Sequence, residues 1–552
     1  MTLFWFLAAV LADTGQYIIE PNIGVRTSDG ATICASVVRP RVPHRLPALL
    51  QFTIYADSTT SLRDARRTAA HGYAGVIGYT RGKACSPDRI VPYVYDGRDA
   101  AALIDWIAAQ PWSDGQVGMY GGSYSGFTAW AAAKYMPKAL KAIMVGAPVA
   151  PGVDVPMEGN VFMNFLYPWP LYTTSTRWLD NATYNDNARW SRLNREWYRS
   201  GRPYRDLPAI DGAPNPGFAE WLAHPQLDAY WRAMIPQGRE YARITIPVLQ
   251  TAGYFYGGPG GAIYYFLQHY KYNPHAVHYL LIGPYDHPQA QRGVVSPLGD
   301  TATVIAGYEI DPVARIDIVA DLRYQWFDYV LRGGPKPALL EDRVNYQVMG
   351  ANIWRHAASI AAAANDRLRL YFKPATLTVN LADRSDLDAP APQGGAIWDS
   401  AIDTSNAITV VSEPLRDPLE LTGLLSGHLE LIVNKRDFDF TITLYEWTMS
   451  GRYFQLPPFT SRASHLGSLS ERRLLTPGKV ERLSFASTIR MMSRQLSAGS
   501  RLVLVVGIVK GPGQQINYGT GRDVSDESIA DAGEPLAIRW LSGSFVELPT
   551  RR

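Results

Sequence analysis

The first part of the chain alternates continuous apolar runs with segments whose apolar residues recur at helical spacing. Residues 48–54, 74–79 and 141–146 have the length and apolar character of buried strands. Residues 61–71 and 96–109 have helical periodicity. Strands that alternate with helices predict a parallel α/β sheet with right-handed crossovers. The functional site of such a sheet lies at the carboxyl ends of its strands.

The alternation of strands and helices resumes after a central segment that interrupts it. Residues 25–38 predict a β-hairpin with an Asp-Gly turn, residues 244–252 and 277–282 predict strands, and residues 316–331 predict a helix. The interruption, residues 151–239, is dense in aromatic side chains and has no clear strand. We expect it to form a helical cap, with helices at 187–199 and 216–233, and some of its aromatics to line an apolar substrate pocket.

The last third of the chain has the pattern of an all-β domain. The predicted strands are residues 368–372, 419–421, 428–433, 438–446 and 501–508. Alternating apolar positions, turn residues and the lack of long helical segments predict a β-sandwich or jelly roll.

These patterns divide the chain into consecutive parts. Residues 1–12 are a predicted signal peptide, 13–150 and 240–365 the two parts of the α/β domain, 151–239 the cap, and 366–552 the jelly-roll β-sandwich. The first twelve residues are an apolar run ending in the small-residue pattern Val10-x-Ala12, which predicts a secreted or periplasmic protein. The run carries no Lys or Arg, and the alternative is a buried N-terminal strand in a cytoplasmic protein.

Composition narrows the function without identifying it. Of the residues, 47% are hydrophobic and 19% are charged, which is ordinary for a globular protein. The net charge of +3 is spread without basic blocks and gives no reason to expect nucleic acid as a partner. No run is long and apolar enough to predict a membrane span. The only cysteines, Cys34 and Cys85, are predicted to be two unpaired, partly buried thiols, although export would permit one disulfide.

A glycine-rich turn supplies the candidate nucleophile. The apolar run 117–120 leads into Gly121-Gly122-Ser123, and a helical segment follows Gly126. This is the strand–turn–helix context of a nucleophile elbow, in which glycines permit a sharp turn that exposes the serine. The glycine stands one place later than in G-x-S-x-G, and the alternative is an ordinary Gly/Ser-rich turn.

A histidine at the end of a later strand supplies the candidate base. His287 follows the predicted strand 277–282 directly, at the sheet edge where Ser123 would also lie. The histidine comes after the serine, as in the chain order of α/β-hydrolases. The alternative is a surface loop histidine. His269, His275 and His278 lie in a helix-to-strand connection and are predicted to be surface residues.

Ordered matches across nearly the whole chain carry a family resemblance. They are Thr80-Arg81-Gly82, Asp99, Asp105-Trp106, residues 111–118, Gly121-Gly122-Ser123-Tyr124-Ser125-Gly126, residues 246–248, Ala252-Gly253, residues 283–287, 325–328, 348–355, 475–478 and 497–502. With them the chain resembles the α/β-hydrolase family of cocaine esterase, glutaryl-cephalosporin acylase, α-amino acid ester hydrolases and X-Pro dipeptidyl peptidases. The resemblance implies an α/β-hydrolase sheet with an inserted helical cap and a C-terminal all-β jelly-roll domain.

The resemblance also implies the roles of four residues. Ser123 would be the acyl-forming nucleophile and His287 the general base. The oxyanion would be held by the hydroxyl of Tyr55 and the backbone amide of Tyr124. Such donors, aimed at the developing negative oxygen, are each worth about 3 kcal/mol. The alternatives are that Tyr55 is a loop aromatic and Tyr124 packs on the sheet. The reaction requires no cofactor or metal, and the expected partner is a small ester or amide substrate.

One departure from the family pattern concerns the acid of the triad. The family places an aspartate in an Ala-Gly-aromatic-x-Asp pattern, and here Tyr256 stands in its place. No Asp or Glu occurs between Glu240 and Asp286. Losing only the acid from such a triad can lower turnover by about 10⁴. This stretch also lacks the acidic cluster that α-amino acid ester hydrolases use for a substrate ammonium.

Three hypotheses for the acid remain open. Asp154 or Glu158 could replace it. A Ser123–His287 dyad could work slowly, with the Tyr256 hydroxyl or a backbone carbonyl orienting the imidazole. The chain could also be a degenerate, non-catalytic binding member of the family. We expect a serine hydrolase of impaired activity that cleaves an ester or amide with an apolar or aromatic acyl group, and the enzymatic alternative is an X-Pro dipeptidyl-type peptidase. The oligomeric state is left open.

Overall fold

The computed structural model describes residues 15–257, 260–295, 302–387 and 396–552, apart from the side chains of residues 58–61. The predicted signal peptide, residues 1–12, lies outside these ranges. No helix within the described ranges combines the length and the apolar character needed to cross a membrane.

The first part of the α/β domain follows the predicted alternation. Its elements are β1 (Tyr17–Arg26), β2 (Thr32–Pro40), β3 (Leu46–Thr53), α1 (Ser58–Ala70), β4 (Ala74–Tyr79), α2 (Asp96–Ala108), β5 (Ser113–Gly122), α3 (Tyr124–Tyr135) and β6 (Leu140–Gly146). Strands β1 and β2 form the predicted antiparallel hairpin. Strands β4, β3, β5 and β6 run parallel to one another.

The cap is made of short helices and one small hairpin. Its elements are β7 (Met157–Glu158), β8 (Val161–Phe162), α4 (Pro168–Thr174), α5 (Asn181–Tyr184), α6 (Asn187–Ser200), α7 (Leu207–Asp211), α8 (Pro216–Leu222), α9 (Ala229–Met234) and α10 (Glu240–Arg243). The single helix predicted at 216–233 is wrong, because α8 and α9 are separate helices. Pro225 lies between them, and the Asp228 side chain caps α9 by accepting from the N–H of Tyr230.

The chain then returns to the sheet. The elements are β9 (Val248–Gly253), α11 (Gly260–Tyr272), β10 (His278–Gly283), α12 (His287–Arg292), β11 (Val304–Ile305), β12 (Tyr308–Glu309), α13 (Arg323–Arg332), β13 (Val344–Val348) and β14 (Ile353–Ala357). A π-helical turn, Ile318–Leu322, precedes α13, so the helix predicted at 316–331 starts irregularly. Within the described residues the sheet order is β1-β2-β4-β3-β5-β6-β9-β10-β13-β14, parallel from β4 to β13.

Both faces of this sheet are buried, which explains the continuous apolar runs of its strands. Leu49 of β3 packs in one core with Trp326 and Phe327 of α13. Its neighbour Leu50 packs in the other core with Phe127 of α3. The carboxyl ends of the parallel strands therefore meet at one edge, between two packed layers of helices.

The C-terminal domain is all-β, as predicted. Its strands are β15 (Asp366–Tyr371), β16 (Ala375–Val379), β17 (Trp398–Asp399), β18 (Ala407–Val411), β19 (Leu419–Val433), β20 (Asp439–Trp447), β21 (Tyr453–Gln455), β22 (Phe459–Arg462), β23 (Val480–Leu496), β24 (Arg501–Ile508), β25 (Leu536–Trp540) and β26 (Phe545–Arg551). One sheet contains β15, β26, β19, β25, β16 and β23, and the other contains β17, β21, β20, β24, β18 and β22. The two short strands predicted at 419–421 and 428–433 are one strand, β19, with an irregular register between Leu424 and Ser426.

Cys34 and Cys85 form a disulfide, so the prediction of two unpaired thiols is wrong. Cys34 lies on β2, opposite Tyr79 at the end of β4. The turn after β4 folds back towards β2 and brings Cys85 to it, with a Cα–Cα distance of 5.3 Å. The two cysteines are 51 residues apart in sequence, and only the pairing of β2 with β4 makes them neighbours.

The prediction of three surface histidines near β10 is wrong for two of them. His269 of α11 and His278 of β10 are buried, and His275 is exposed as predicted. The Nδ1 atoms of His269 and His278 are 3.1 Å apart, and His269 Nε2 lies 2.9 Å from the carbonyl oxygen of Ile244. Because a carbonyl only accepts, His269 Nε2 carries a hydrogen, and His278 Nδ1 donates to the other nitrogen of His269. The contact of α11 with β10 turns both rings inward.

Candidate active site

Ser123 lies in the turn between β5 and α3, at the carboxyl end of a central strand. Its backbone has φ 55° and ψ −121°, a conformation that residues other than glycine rarely adopt. Its N–H donates to the carbonyl oxygen of Gly146 at the end of β6, at 3.0 Å. Its own carbonyl accepts from the N–H groups of Gly126 and Phe127. This strained turn, held at both sides, is the geometry of a nucleophile elbow.

Two glycines let the turn pack this closely. A Cβ atom at Gly121 would lie 2.5 Å from Cβ of Ser125, and a Cβ atom at Gly126 would lie 2.8 Å from Cβ of Pro148. Pro148 follows β6, so Gly126 brings the first turn of α3 against that segment. The close approach to Pro148 leaves no room for a side chain at position 126.

Tyr55 faces the nucleophile from the loop after β3. Its side chain lines one cavity with Ser123, and its hydroxyl accepts a bond of 3.2 Å from Nε1 of Trp169 in the cap. Desolvation raises the pKa of Tyr55, so the hydroxyl keeps its proton at neutral pH. The structure therefore brings together Ser123 and a hydroxyl that can donate to an oxygen developing beside it.

Tyr124 supplies its backbone N–H at the start of α3, while its side chain is locked below. An N–H group in the first turn of a helix has no partner within the helix and is free to bind an anion. The phenol of Tyr124 is buried, donates to Oδ2 of Asp96 at 2.6 Å, and accepts from the N–H of Tyr93 at 2.9 Å. Burial raises the pKa of Asp96 to about 7. The buried Asp96 is a positioning residue that the motif did not reveal.

His287 is the first residue of α12, at the end of the loop that follows β10. Its Nδ1 lies 3.0 Å from the carbonyl oxygen of Gly257. Because the carbonyl can only accept, Nδ1 carries the hydrogen of the neutral ring, and Nε2 is the acceptor. Desolvation lowers the pKa of His287, which favours the neutral form that a general base requires. His287, Ser123 and Tyr55 line the same cavity.

The carboxylates proposed as the missing acid have other partners. Asp154 accepts from the N–H of Ala150 at 2.7 Å and from the N–H of Gly261 at 2.5 Å. Glu158 forms a two-point ion pair with Arg490 of β23. Asp286 caps α12 by accepting from Gln289, at 2.9 Å.

Tyr256 lies at the rim of the same cavity. Its backbone φ is 48°, and 49% of its surface is exposed. Tyr256 therefore occupies a strained position at the site, directly before the Gly257 carbonyl that contacts His287.

The cavity has a volume of about 1130 Å³ and is walled by all parts of the protein. Its aromatic side consists of Tyr93, Trp169, Tyr172 and Tyr184, with ring contacts between Tyr93 and Trp169 and between Tyr172 and Tyr184. The C-terminal domain contributes Ile397, Gln455, Pro458 and Arg490. Trp169, Tyr172 and Tyr184 belong to the cap, whose aromatics were expected to line a pocket. The C-terminal domain was expected to wall the pocket, although no sequence signal identified these four residues. Among the described residues, no three His, Cys, Asp or Glu side chains are grouped so that they could hold a metal ion.

Two family models match the chain in succession. Residues 29–289 match the X-Pro dipeptidyl-peptidase (S15 family) model, and residues 339–528 match the X-Pro dipeptidyl-peptidase C-terminal non-catalytic domain. Cocaine esterase of Rhodococcus sp. (strain MB1 Bresler) is 25% identical to the chain over 567 aligned positions, which cover 94% of this chain and 95% of the esterase.

Solved structures show the same fold. An aminopeptidase from the marine sediment archaeon Thaumarchaeota archaeon has a TM-score of 0.78 at 18% identity, and an α-amino acid ester hydrolase has a TM-score of 0.78 at 19% identity. Each alignment covers 97% of both chains. The named relatives are hydrolases of esters or peptides. The chain thus belongs to the α/β-hydrolase family that contains cocaine esterase and the X-Pro dipeptidyl-peptidases.

Proposed function

We propose that the protein is a serine hydrolase that cleaves an ester or amide bond through an acyl-Ser123 intermediate. The observation that carries this proposal is the strained elbow at Ser123, which lines one cavity with Tyr55 and His287. In the same cavity, the Gly257 carbonyl holds His287 in the tautomer that a base requires.

The reaction uses these groups in turn. Nε2 of His287 takes the proton of Ser123 Oγ as Oγ attacks the substrate carbonyl. The Tyr55 hydroxyl and the Tyr124 N–H stabilise the oxygen that becomes negative, each by about 3 kcal/mol. The imidazolium then gives its proton to the leaving group, and water repeats the sequence on the acyl-enzyme.

A carbonyl replaces the triad carboxylate only in part. The Gly257 oxygen fixes the ring and its tautomer, as a carboxylate would. It is neutral, however, and stabilises the imidazolium less than a carboxylate does. We therefore expect an active enzyme that turns over more slowly than one with a full triad. The loss in turnover should be smaller than the factor of about 10⁴ that accompanies a wrong tautomer.

The cavity favours an apolar or aromatic acyl group. Trp169 contacts the Tyr55 hydroxyl directly, so the aromatic wall begins beside the oxyanion position. The family match to X-Pro dipeptidyl-peptidase makes a prolyl amide the second candidate substrate. Assays with phenyl benzoate and with a Gly-Pro anilide distinguish the two candidate substrate classes. In each assay, the release of the leaving group must depend on Ser123.

Labelling with a fluorophosphonate tests the nucleophile. Wild type and Ser125→Ala, which changes the buried neighbouring serine, are expected to be labelled, and Ser123→Ala is not. Equal labelling of Ser123→Ala, or none of wild type, would refute the hydrolase. Labelling without turnover of either substrate would favour the non-catalytic alternative.

We also propose that the protein acts in a secreted or periplasmic compartment. The Cys34–Cys85 disulfide supports this location, because disulfides persist in oxidising compartments. Cell fractionation of the full chain tests it, and recovery of both cysteines as free thiols in the cytosol would contradict it.

A further inference from the structure

A second arm of the active-site cavity lies on the sheet face opposite α3 and carries a concentration of arginines. We call it the arginine arm, and its walls are Gln51, Asp64, Arg67, Tyr120, Met144 and Arg323. Tyr120 and Met144 belong to the core beneath α13, which identifies the face. Tyr120 precedes Ser123 by three residues at the end of β5, so the arm begins roughly 10 Å from the nucleophile along the backbone.

The arm has more positive than negative charge. Its walls contribute two guanidinium groups, those of Arg67 and Arg323, and one carboxylate, that of Asp64. Elsewhere in the same cavity the balance of charge is reversed. The group formed by Asp154, Glu158 and Arg490 has two carboxylates and one guanidinium.

Asp64 stands at the centre of the arm and is shared. Nη1 of Arg67 lies 3.2 Å from Oδ1, Nη1 of Arg323 lies 3.2 Å from both oxygens, and the Tyr120 hydroxyl donates to Oδ2 at 3.0 Å. Each arginine directs a single nitrogen at Asp64, although a guanidinium has five N–H donors. Both side chains are mostly shielded from solvent, with 18% of Arg67 and 11% of Arg323 exposed. One carboxylate therefore orients two shielded cations and neutralises one of them.

The arm borders helix α12, because that helix contacts the π-helical turn Ile318–Leu322, which leads directly into Arg323. Helix α12 carries His287 at its start and Gln291 and Arg292 at its end, and all three line the cavity. The imidazole that deprotonates Ser123 also protonates the leaving group, so the leaving group must lie on the side of α12. The aromatic wall flanks Tyr55 instead and is left for the acyl group.

We propose that the arginine arm binds a leaving group that carries a carboxylate. This inference rests on the proposed hydrolysis at Ser123. The bond from the acyl carbon to the leaving oxygen or nitrogen breaks as the bond to Ser123 Oγ forms, and the Oγ proton passes through His287 Nε2 to the leaving atom. The distal carboxylate takes no part in bond making. It pairs with the guanidinium groups of Arg67 and Arg323, and such charge-assisted pairs are the strong ones in a shielded site.

Two benzoate esters test the arm. 4-(Carboxymethyl)phenyl benzoate and 4-(carbamoylmethyl)phenyl benzoate differ in one charge, and the methylene group keeps their phenol reactivity alike. The kcat/KM ratio of acid to amide ester is expected to be at least 10 in wild type and to fall at least fivefold in Arg67→Gln and in Arg323→Gln. Arg332→Gln removes a cation from the far end of α13, outside the cavity, and is expected to keep the ratio.

Binding of the two products to Ser123→Ala separates the arm from the chemistry. 4-Hydroxyphenylacetate is expected to bind at least tenfold more tightly than 4-hydroxyphenylacetamide by calorimetry, with the preference reduced by Arg67→Gln. Equal binding and equal kcat/KM would overturn the proposed arm while leaving the hydrolase intact. Selective binding without turnover of either ester would support the arm and refute the hydrolase.

Discussion

Replacing Tyr256 by Asp tests what orients His287. Tyr256 has φ 48°, a region that Asp and Asn enter more readily than other side chains, so the backbone accepts the change. The new carboxylate would stand one residue before the Gly257 carbonyl that now accepts from Nδ1 at 3.0 Å. If the Gly257 carbonyl orients His287, the new carboxylate is expected to compete with that carbonyl for the hydrogen on Nδ1. It also adds a negative charge beside the imidazolium.

The size of the effect follows from the difference between two hydrogen bonds. A neutral bond contributes about 1 kcal/mol and a bond to a charged group about 2.5 kcal/mol, a difference of about 1.5 kcal/mol. Expressed in the transition state, this raises kcat about tenfold. The nearby negative charge also raises the pKa of His287 from its present lowered value, so the acid limb of the kcat/KM profile moves to higher pH.

Steady-state hydrolysis of phenyl benzoate between pH 4 and 9 measures both effects. Tyr256→Asn is the matched control, because it removes the ring and adds no charge. A tenfold gain and a shifted limb in Tyr256→Asp alone would support the carbonyl as the present partner. Unchanged kcat and an unchanged limb would refute this account of how the base is held.

Two further predictions concern the oxyanion and the buried histidines. Tyr55→Phe is expected to lower kcat about 10²-fold with little change in KM, because one of two donors to the oxyanion is lost. Tyr172→Phe, on the aromatic wall, is the control. An equal loss of kcat in Tyr172→Phe would contradict the role of Tyr55. Burial lowers the pKa of both His269 and His278 below their usual 6.5, so the folded state keeps them neutral. The free energy of unfolding is therefore highest at pH values above 6.5. As the pH falls below that value, it decreases by up to about 1.4 kcal/mol per pH unit for each ring. Tm measured from pH 8 to 5 should fall less steeply in His278→Leu than in wild type, and parallel curves would show that these rings are not the cause.

The sequence predicts the nucleophile and the base because both depend on local chemistry. Ser123 stands among glycines that a sharp turn requires, and His287 follows a buried strand, so short stretches locate them at one sheet edge. The roles of Tyr55 and the Tyr124 amide came from the family resemblance, and Tyr55 lines one cavity with Ser123.

The rest of the site depends on distant contacts. The carbonyl of Gly257 could not be predicted, since every residue carries one and only the fold selects which faces His287. Asp96 reaches Tyr124 from another helix. Arg490 meets Glu158 from a different domain, 332 residues away. Partners of this kind leave no periodicity or motif in the chain.

The position of Arg490 in the sequence also affects when the active-site cavity is completed during protein synthesis. The residue lies on β23, near the end of the chain, yet it walls the cavity and neutralises the buried Glu158. Domains generally fold from the N-terminus during synthesis, so the α/β domain and cap can form on the ribosome before β23 has been made. Until then, Glu158 lacks its guanidinium and the cavity lacks one wall. We expect a nascent or truncated chain to be unable to hydrolyse substrate, which would delay activity until translation is finished.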